Sequence, residues 1–351
     1  MKPKTLIIPL FIMNRGCPNR CIYCNESILA GNYDGRITES TFRKTVDSYL
    51  QSAGNRFECV QIAFYGGNFT GLAEKDGEEL LSFARPYLES GAVNSLRVST
   101  RPDHIEGHEI RRLYHRGVRT VEIGAQSMND DVLALARRGH DALSVRRALS
   151  LLKEEGFEAG VHLMAGLPGE TDESFLAGID EVIGLAPHTV RIHPTLVLRG
   201  TELERLYREG HYEPLSLDHA VELCAGALVR LKKAGINVIR LGLHLSETMK
   251  EKDNVLAGPL HPSFRSLVEE RLFRRMAVEL LKTTPFGTAE VCLLASPGDL
   301  SRLRGQRKGN VRYLENLFPH VTISMGEDPA VAVDSLRLVS EGVSTERSLR
   351  R

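Results

Sequence analysis

The chain has 351 residues, 42% of them apolar and 26% charged, a balance that fits a soluble globular protein and excludes collagen-like, disordered and disulfide-scaffold chains. The 45 basic residues are matched by 45 acidic ones, so any nucleic-acid contact must come from a local patch and not from a global field. No apolar run is long enough to span a bilayer, and the length suits two or three domains, or one barrel with an appendage.

In chain order, the apolar run of residues 6–13 follows Met1-Lys2-Pro3-Lys4 and imitates a signal peptide. Pro9 interrupts it and no small-residue cleavage site follows, so it reads as the buried first strand of a cytoplasmic protein. Residues 39–53 read as a helix capped by Thr38. Residues 59–65 form a strand ending in Gly66-Gly67, and 78–89 a helix. A strand at 95–100 is closed by Arg101-Pro102, and a helix at 106–116 by Gly117. Then come a strand at 120–126, helices at 130–136 and 143–155, a strand at 159–164, a helix at 172–185 and a strand at 189–194. A helix at 217–233 and a strand at 237–243 follow. This alternation predicts an α/β fold with a parallel sheet and right-handed crossovers, a partial (β/α)6 TIM-like barrel with a small C-terminal α+β unit. The boundaries are set at 1–243 for the barrel, 244–285 for a connecting helical segment and 286–351 for the last unit. The segment Thr283-Thr284-Pro285-Phe286-Gly287 reads as a linker after an amphipathic helix at 266–281.

Of six cysteines, Cys59, Cys224 and Cys292 are scattered and read as inert core thiols, whereas Cys17, Cys21 and Cys24 fall within eight residues on the loop leaving the first strand. Three thiolates so close reach one centre only when a metal or cluster collects them. A structural zinc site wants four closed ligands, and no histidine precedes His104. Three thiolates on a four-iron cluster leave one iron open, which is a catalytic arrangement.

The spacing C-x3-C-x2-C, with Tyr23 before the third cysteine, resembles the radical S-adenosylmethionine (SAM) superfamily. The resemblance implies a [4Fe-4S] cluster on Cys17, Cys21 and Cys24, with S-adenosyl-L-methionine chelated to the open iron. One electron would cleave that cofactor to methionine and a 5′-deoxyadenosyl radical, while the protein binds and orients it. It also implies a reductant protein, flavodoxin- or ferredoxin-like. Tyr65-Gly66-Gly67-Asn68-Phe69-Thr70 is similar to the superfamily's Gly-Gly-Glu segment, which holds the methionine amino group, with Asn68 in place of the acid. Thr100 closes the third strand, Gln126 stands at the ribose-contacting place, and His162 would face the nucleoside. Lys153 is a candidate for the cofactor carboxylate, or a solvated helix face.

The ordered set Thr100-Arg101-Pro102-Asp103, Val121 to Ser127, Arg137-Arg138-Gly139-His140, Gly166-Leu167-Pro168-Gly169-Glu170-Thr171 and Pro194 to Leu203 resembles the radical domain of the Elongator catalytic subunit over about residues 5–240. That subunit acts on the wobble uridine of transfer RNA. The Gln-Ser and Gly-Leu-Pro-Gly segments are shared more distantly with oxygen-independent coproporphyrinogen dehydrogenase. The roughly 65 residues after Pro285 are too few for an acetyltransferase domain, so carboxymethylation through acetyl-CoA is not expected.

Residues 289–326 read strand–helix–basic Gly loop–helix–strand, an order similar to a KH module, though Gly305-x3-Gly309 is one residue longer than the KH loop. Arg302, Arg304, Arg307, Lys308 and Arg312 are the candidate RNA contacts; the plain alternative is an α/β cap with a solvated basic face. The last residues, 335–351, read as a short helix or frayed tail. Three functions stay open: a radical enzyme acting on RNA, a radical enzyme acting on a small or porphyrin-like molecule, and a zinc-bearing RNA-binding protein. None involves a membrane.

Overall fold

The computed structural model describes residues 5–12, 15–30, 36–54, 56–243, 247–251, 253–285, 288–340 and 343–350. Met13, the end of the predicted first strand, lies outside them, as do residues 244–246 and the linker residues Phe286 and Gly287. The chain forms two compact units, Met1–Leu215 with His244–Pro259, and Ser216–Leu243 with Leu260–Arg351.

The first unit is an α/β partial barrel. Its strands are β1 (Thr5–Phe11), β2 (Cys59–Tyr65), β3 (Ser95–Thr100), β4 (Val118–Gln126), β5 (Glu158–Ala165) and β6 (Thr189–Pro194). Each pairs in parallel with the next. Helices α1 (Glu26–Ala30), α2 (Glu39–Ala53), α3 (Glu74–Glu89), α4 (Gly107–His115), α5 (Asp130–Leu135), α6 (Ala142–Glu154) and α7 (Asp172–Gly184) lie in the connections. The predicted cap of α2 is present as a reciprocal box: Thr38 accepts from Thr41 N, and Thr41 Oγ1 accepts from Thr38 N. After β6 come β7 (Val197–Leu198) and α8 (Glu202–Arg208); α9 (Leu217–Lys233) and β8 (Asn237–Leu241) belong to the second unit; α10 (Glu247–Lys250) and β9 (Val255–Ala257) return to the first, where β9 pairs antiparallel with β7.

Strand alternation separates two chemistries. Ile62, Phe64, Leu96, Val98, Val121, Ile123, Val161, Leu163, Val190 and Ile192 are buried, and Phe42 of α2 stacks on Phe64 at 6.3 Å. The alternate residues Gln61, Tyr65, Arg97, Glu122 and Arg191 form a polar network. Arg97 Nη1 lies 2.6 Å from Glu122 Oε1, and Arg191 Nε lies 2.8 Å from Glu122 Oε2. Tyr65 Oη donates to Glu122 Oε1 at 3.2 Å, and Arg97 Nη2 donates to Gln61 Oε1 at 2.9 Å.

In the second unit, α11 (Phe264–Leu281) packs along α9, with Arg271 paired to Asp218 and Glu222, and Phe264 beside Gly242. These contacts place α9 and β8 in the second unit and move the boundary from residue 243 to Ser216. Then follow β10 (Glu290–Ala295), α12 (Leu300–Arg304), α13 (Gly309–Leu317), β11 (Thr322–Glu327), β12 (Ser335–Ser340) and β13 (Val343–Ser348). The sheet order is β11-β10-β12-β13, with β10 and β11 parallel and the other pairs antiparallel. The C-terminal segment is therefore neither a helix nor a frayed tail. Leu336 and Leu338 alternate into the core, and Arg350 folds back to Asp334, Nη2 to Oδ2 at 2.9 Å. Among the described residues no helix is long and apolar enough to cross a membrane.

Candidate active site

In a parallel α/β sheet the carboxyl ends of the strands share one edge, where loops converge. The loop after β1 carries Cys17, Cys21 and Cys24. Cys17 and Cys24 are exposed, and Cys21 is 9% exposed. Backbone hydrogen bonds join this loop to the loop after β2. Ile12 N donates to Tyr65 O at 2.8 Å and Asn68 N to Arg15 O at 2.9 Å. Gly16 and Gly67 both have positive φ, at +74° and +61°. A Cβ on Gly16 would fall 2.1 Å from Asn68 O, and one on Gly67 would fall 2.5 Å from Arg15 O. Gly67 thus makes room for the cysteine loop, and Gly16 lets that loop approach in turn.

Asn68 is fully buried. Its Nδ2 donates to Gly16 O at 2.7 Å; its Oδ1 accepts from Thr100 Oγ1 at 2.7 Å and from Arg101 N at 3.0 Å. One amide therefore ties the loops after β1, β2 and β3, and both of its ends are engaged by protein. Thr100, also buried, is part of that clasp.

The far side of the cysteine loop rests on the segment after α5. Ile22 N donates to Ala136 O at 3.2 Å and Leu203 N to Ile22 O at 2.8 Å. Tyr23 packs against two apolar clusters, one of Val132, Ala136, Met164 and Leu167 and one of Ile22, Val197, Leu203 and Tyr212. Burial drives its hydroxyl pKa well up; Arg138 opposes this, and Cys21 and Cys24 add to it. Gln126 ends β4 at a bulge with φ +70°, in left-handed space that a non-glycine residue enters at a cost. Its buried Oε1 has no hydrogen-bond partner. His162 on β5 is held neutral: burial, then Arg191 and Arg138, push its pKa down to about 3. Its Nε2 is buried without a hydrogen-bond partner, and its ring meets His193 edge-on at 4.4 Å. Thr195 Oγ1 and Arg138 Nε are likewise buried and unpartnered. Such orphaned buried atoms are uncommon and leave hydrogen-bonding capacity for a further group.

A family profile for the radical SAM superfamily matches residues 11–182, and a profile for the radical SAM C-terminal domain matches residues 187–274. The chain belongs to the radical SAM superfamily. It is 35% identical over 250 residues to the tRNA uridine(34) acetyltransferase of Methanocaldococcus infernus, covering 60% of this chain and 47% of that one. It is 28% identical over 247 residues to Elongator complex protein 3 of Homo sapiens, covering 60% and 45%. The chain spans about half the length of these relatives. The solved structure of Methanocaldococcus infernus Elp3, with an N-terminal deletion, superposes with a TM-score of 0.60 at 21% identity over 78% of this chain and 63% of that one, so the fold is shared.

The donor set fits the radical SAM cofactors in kind: the cysteine loop offers thiols only, and the strand ends offer polar atoms that no protein group satisfies. Among the described residues no three Cys, His, Asp or Glu side chains are grouped to hold a single metal ion; an iron–sulfur cluster instead spreads its thiolates over separate irons. Tyr23, Gly66, Gly67, Asn68, Thr100, Gln126 and His162 all lie on the strands or in the loops that follow them. Lys153 does not. It is exposed near the C-terminal end of α6, where its Nζ donates to Leu185 O after α7. A helix ending there leads into the amino end of β5, so Lys153 lies at the opposite edge of the sheet.

In the sequence Arg138 stands out only as one member of an ordered motif. In the fold it is 7% exposed; its Nη1 donates to Cys21 Sγ at 3.4 Å and its Nη2 to Gly124 O at 2.7 Å. Arg97, Glu122 and Arg191 belong to no motif that assigns them a role; their signal is a charge at the centre of each of three strands. Glu170 ties the loops after β4 and β5. Its Oε2 accepts from Gly166 N at 2.8 Å and its Oε1 from Ser127 Oγ at 3.2 Å. Burial pushes its pKa up to about 7.

Of the predicted RNA contacts, Arg302 is turned inward, 2.9 Å from Glu269 Oε2 and paired with the buried Asp299. Arg304, Arg307, Lys308 and Arg312 are exposed. Arg307 and Lys308 both have positive φ, 50° and 59°. They line, with Arg304, Leu300, Ser301 and Glu327, a shallow cavity of about 450 Å³.

Proposed function

We propose that this protein is a radical SAM enzyme that modifies RNA, with transfer RNA the first substrate to test. Cys17, Cys21 and Cys24 would hold a [4Fe-4S] cluster. That group supplies the electron that cleaves S-adenosyl-L-methionine to methionine and a hydrogen-abstracting 5′-deoxyadenosyl radical. The chain's own residues bind and orient. Gly66 gives a backbone that a ligand can approach closely, while Gly67 makes room for the cysteine loop. Gln126 Oε1 and His162 Nε2 supply polar atoms in a dry site, where each hydrogen bond to a ligand counts for more than in water. Neutral His162 accepts a hydrogen bond there without bringing a charge. Asn68 and Thr100 act as positioning residues that hold the cysteine loop, and a flavodoxin- or ferredoxin-like protein serves as reductant.

The observation that carries the reading is the convergence, at one edge of the sheet, of a three-thiol loop and buried polar atoms without partners. RNA as substrate draws on the relatives named for transfer RNA and on the exposed basic loop at Arg304, Arg307 and Lys308. A small anionic molecule is the second reading, favoured by the Arg97 and Arg191 guanidiniums that share the single Glu122 carboxylate.

The test is anaerobic reconstitution with iron and sulfide, reduction with dithionite, and assay of 5′-deoxyadenosine from S-adenosyl-L-methionine. Wild type yields product and Cys21→Ala yields none. Product made by Cys21→Ala, or zinc binding with no cluster in wild type, overturns the reading. Stimulation by transfer RNA separates the RNA reading from the small-molecule one.

A further inference from the structure

We infer that Arg138 is a positioning residue that raises the reduction potential of the centre held by the cysteine loop. The inference rests on the cluster reading above.

Arg138 is a buried cation, and among the described residues no carboxylate forms an ion pair with it. A guanidinium does not lose its proton in a protein, and a buried charge without a counter-charge is strongly unfavourable. The groups that face it are the Cys21 sulfur, the Cys17 thiol, the Tyr23 hydroxyl and the Gly124 carbonyl. The guanidinium hydrogen-bonds to a sulfur, Cys21 Sγ, so the counter-charge closest to hand is the cysteine loop's own thiolate.

The contact is held on both sides. Ile22 N donates to Ala136 O, and a Cβ on Gly139 would meet the Asn19 side chain, so residues 136–139 dock along the cysteine loop. Arg138 Nη2 is fixed to the β4 bulge through Gly124 O. The guanidinium is thus aimed at Cys21 by the backbone of two loops. Hydrogen bonds to ligating sulfur and the charge around a cluster set its potential. A fixed cation donating to a thiolate favours the state with one more electron.

The test uses the anaerobically reconstituted full chain as wild type, Arg138→Gln and Arg138→Lys. Iron and sulfide are counted, and the midpoint is read by a redox titration followed by electron paramagnetic resonance. The midpoint of Arg138→Gln shifts to a more negative value, and that of Arg138→Lys returns toward wild type. A loaded Arg138→Gln with the wild-type midpoint overturns this inference and leaves the cluster reading intact. A wild type that loads no iron overturns both. A second measurement needs no variant: wild type grown with ¹⁵N-arginine, reduced and probed by pulsed resonance, shows ¹⁵N coupling to the cluster. Absence of that coupling overturns the inference even where Arg138→Gln fails to fold.

Discussion

The edge of the sheet in the first unit and the Gly305–Gly309 loop in the second use arginine in opposite ways. At the sheet, Arg97 and Arg138 are buried, and each is fixed by at least two hydrogen-bond partners. At the loop, Arg307 and Lys308 are exposed on strained backbone beside a shallow cavity. A buried cation is bound to its neighbours and orients them. An exposed one is screened by solvent and is free to meet a partner. The first arrangement suits chemistry and the second suits docking, so substitutions in the two regions should separate stability from binding.

The largest effect is expected at Glu122. Its carboxylate is shared by Arg97 and Arg191, and Tyr65 donates to it. Glu122→Ala leaves two guanidiniums without their counter-charge. Breaking a buried pair from one side costs about 3–5 kcal/mol, and chemical denaturation should show that loss. Burial and then Glu122 hold the Tyr65 hydroxyl up at about 12, so spectrophotometric titration of tyrosine in the same variant should move in the direction of easier ionisation.

Next is Glu170, which gives the sheet edge a pH dependence. Its pKa rises from 4.5 unfolded to about 7 in the folded chain, so the fold binds this proton more tightly than the unfolded chain does. The stabilisation is full below 4.5 and is lost as pH rises through about 7. At ~1.4 kcal/mol for each pKa unit the loss is on the order of 3 kcal/mol. Glu170→Gln keeps an acceptor for Gly166 N and should flatten the stability profile between those pH values. An unchanged profile would remove Glu170 from the account.

Asn68→Ala is expected to cost about 2 kcal/mol, because Gly16 O, Arg101 N and Thr100 lose their shared partner in a buried place. The clasp also fixes the cysteine loop, so iron uptake should fall with stability. A variant that melts earlier but loads iron normally would show that the loop is held by backbone alone.

Most of the first unit was legible in the sequence, because a parallel sheet writes each strand as a short apolar run and each crossover as a capped helix. The cysteine spacing and Gly66-Gly67 stand out in the sequence because both patterns are local. Arg138 was not, since its contact with Cys21 bridges 117 residues and nothing in Arg137-Arg138-Gly139-His140 says which arginine turns inward. Lys153 misled for the opposite reason: a helix can be read from its pattern, but the edge of the sheet at which its last turn ends cannot be read from the lysine. The strands at Ser335–Ser340 and Val343–Ser348 were hidden by charged side chains: Arg337 pairs with Asp328 and Glu346, and Arg347 with Glu279. Just outside the strands, Arg350 and Lys232 both pair with Asp334, and the Lys232 contact spans 102 residues.

The smallest effect on stability is expected at the loop. Arg307→Glu with Lys308→Glu touches exposed side chains, and substitutions of that kind usually fall within about 0.5 kcal/mol. Removing one cation from a phosphate lowers the slope of log affinity against log salt by about 0.7 for a single strand and 0.9 for a duplex. If both side chains reach phosphates, the charge-reversed protein should bind transfer RNA more weakly at low salt, with a slope smaller by roughly 1–2. Its melting and its iron content should match wild type. Equal affinity and slope would mean that Glu327, which lines the same cavity, already offsets these cations, and that RNA contact must be sought elsewhere on the chain.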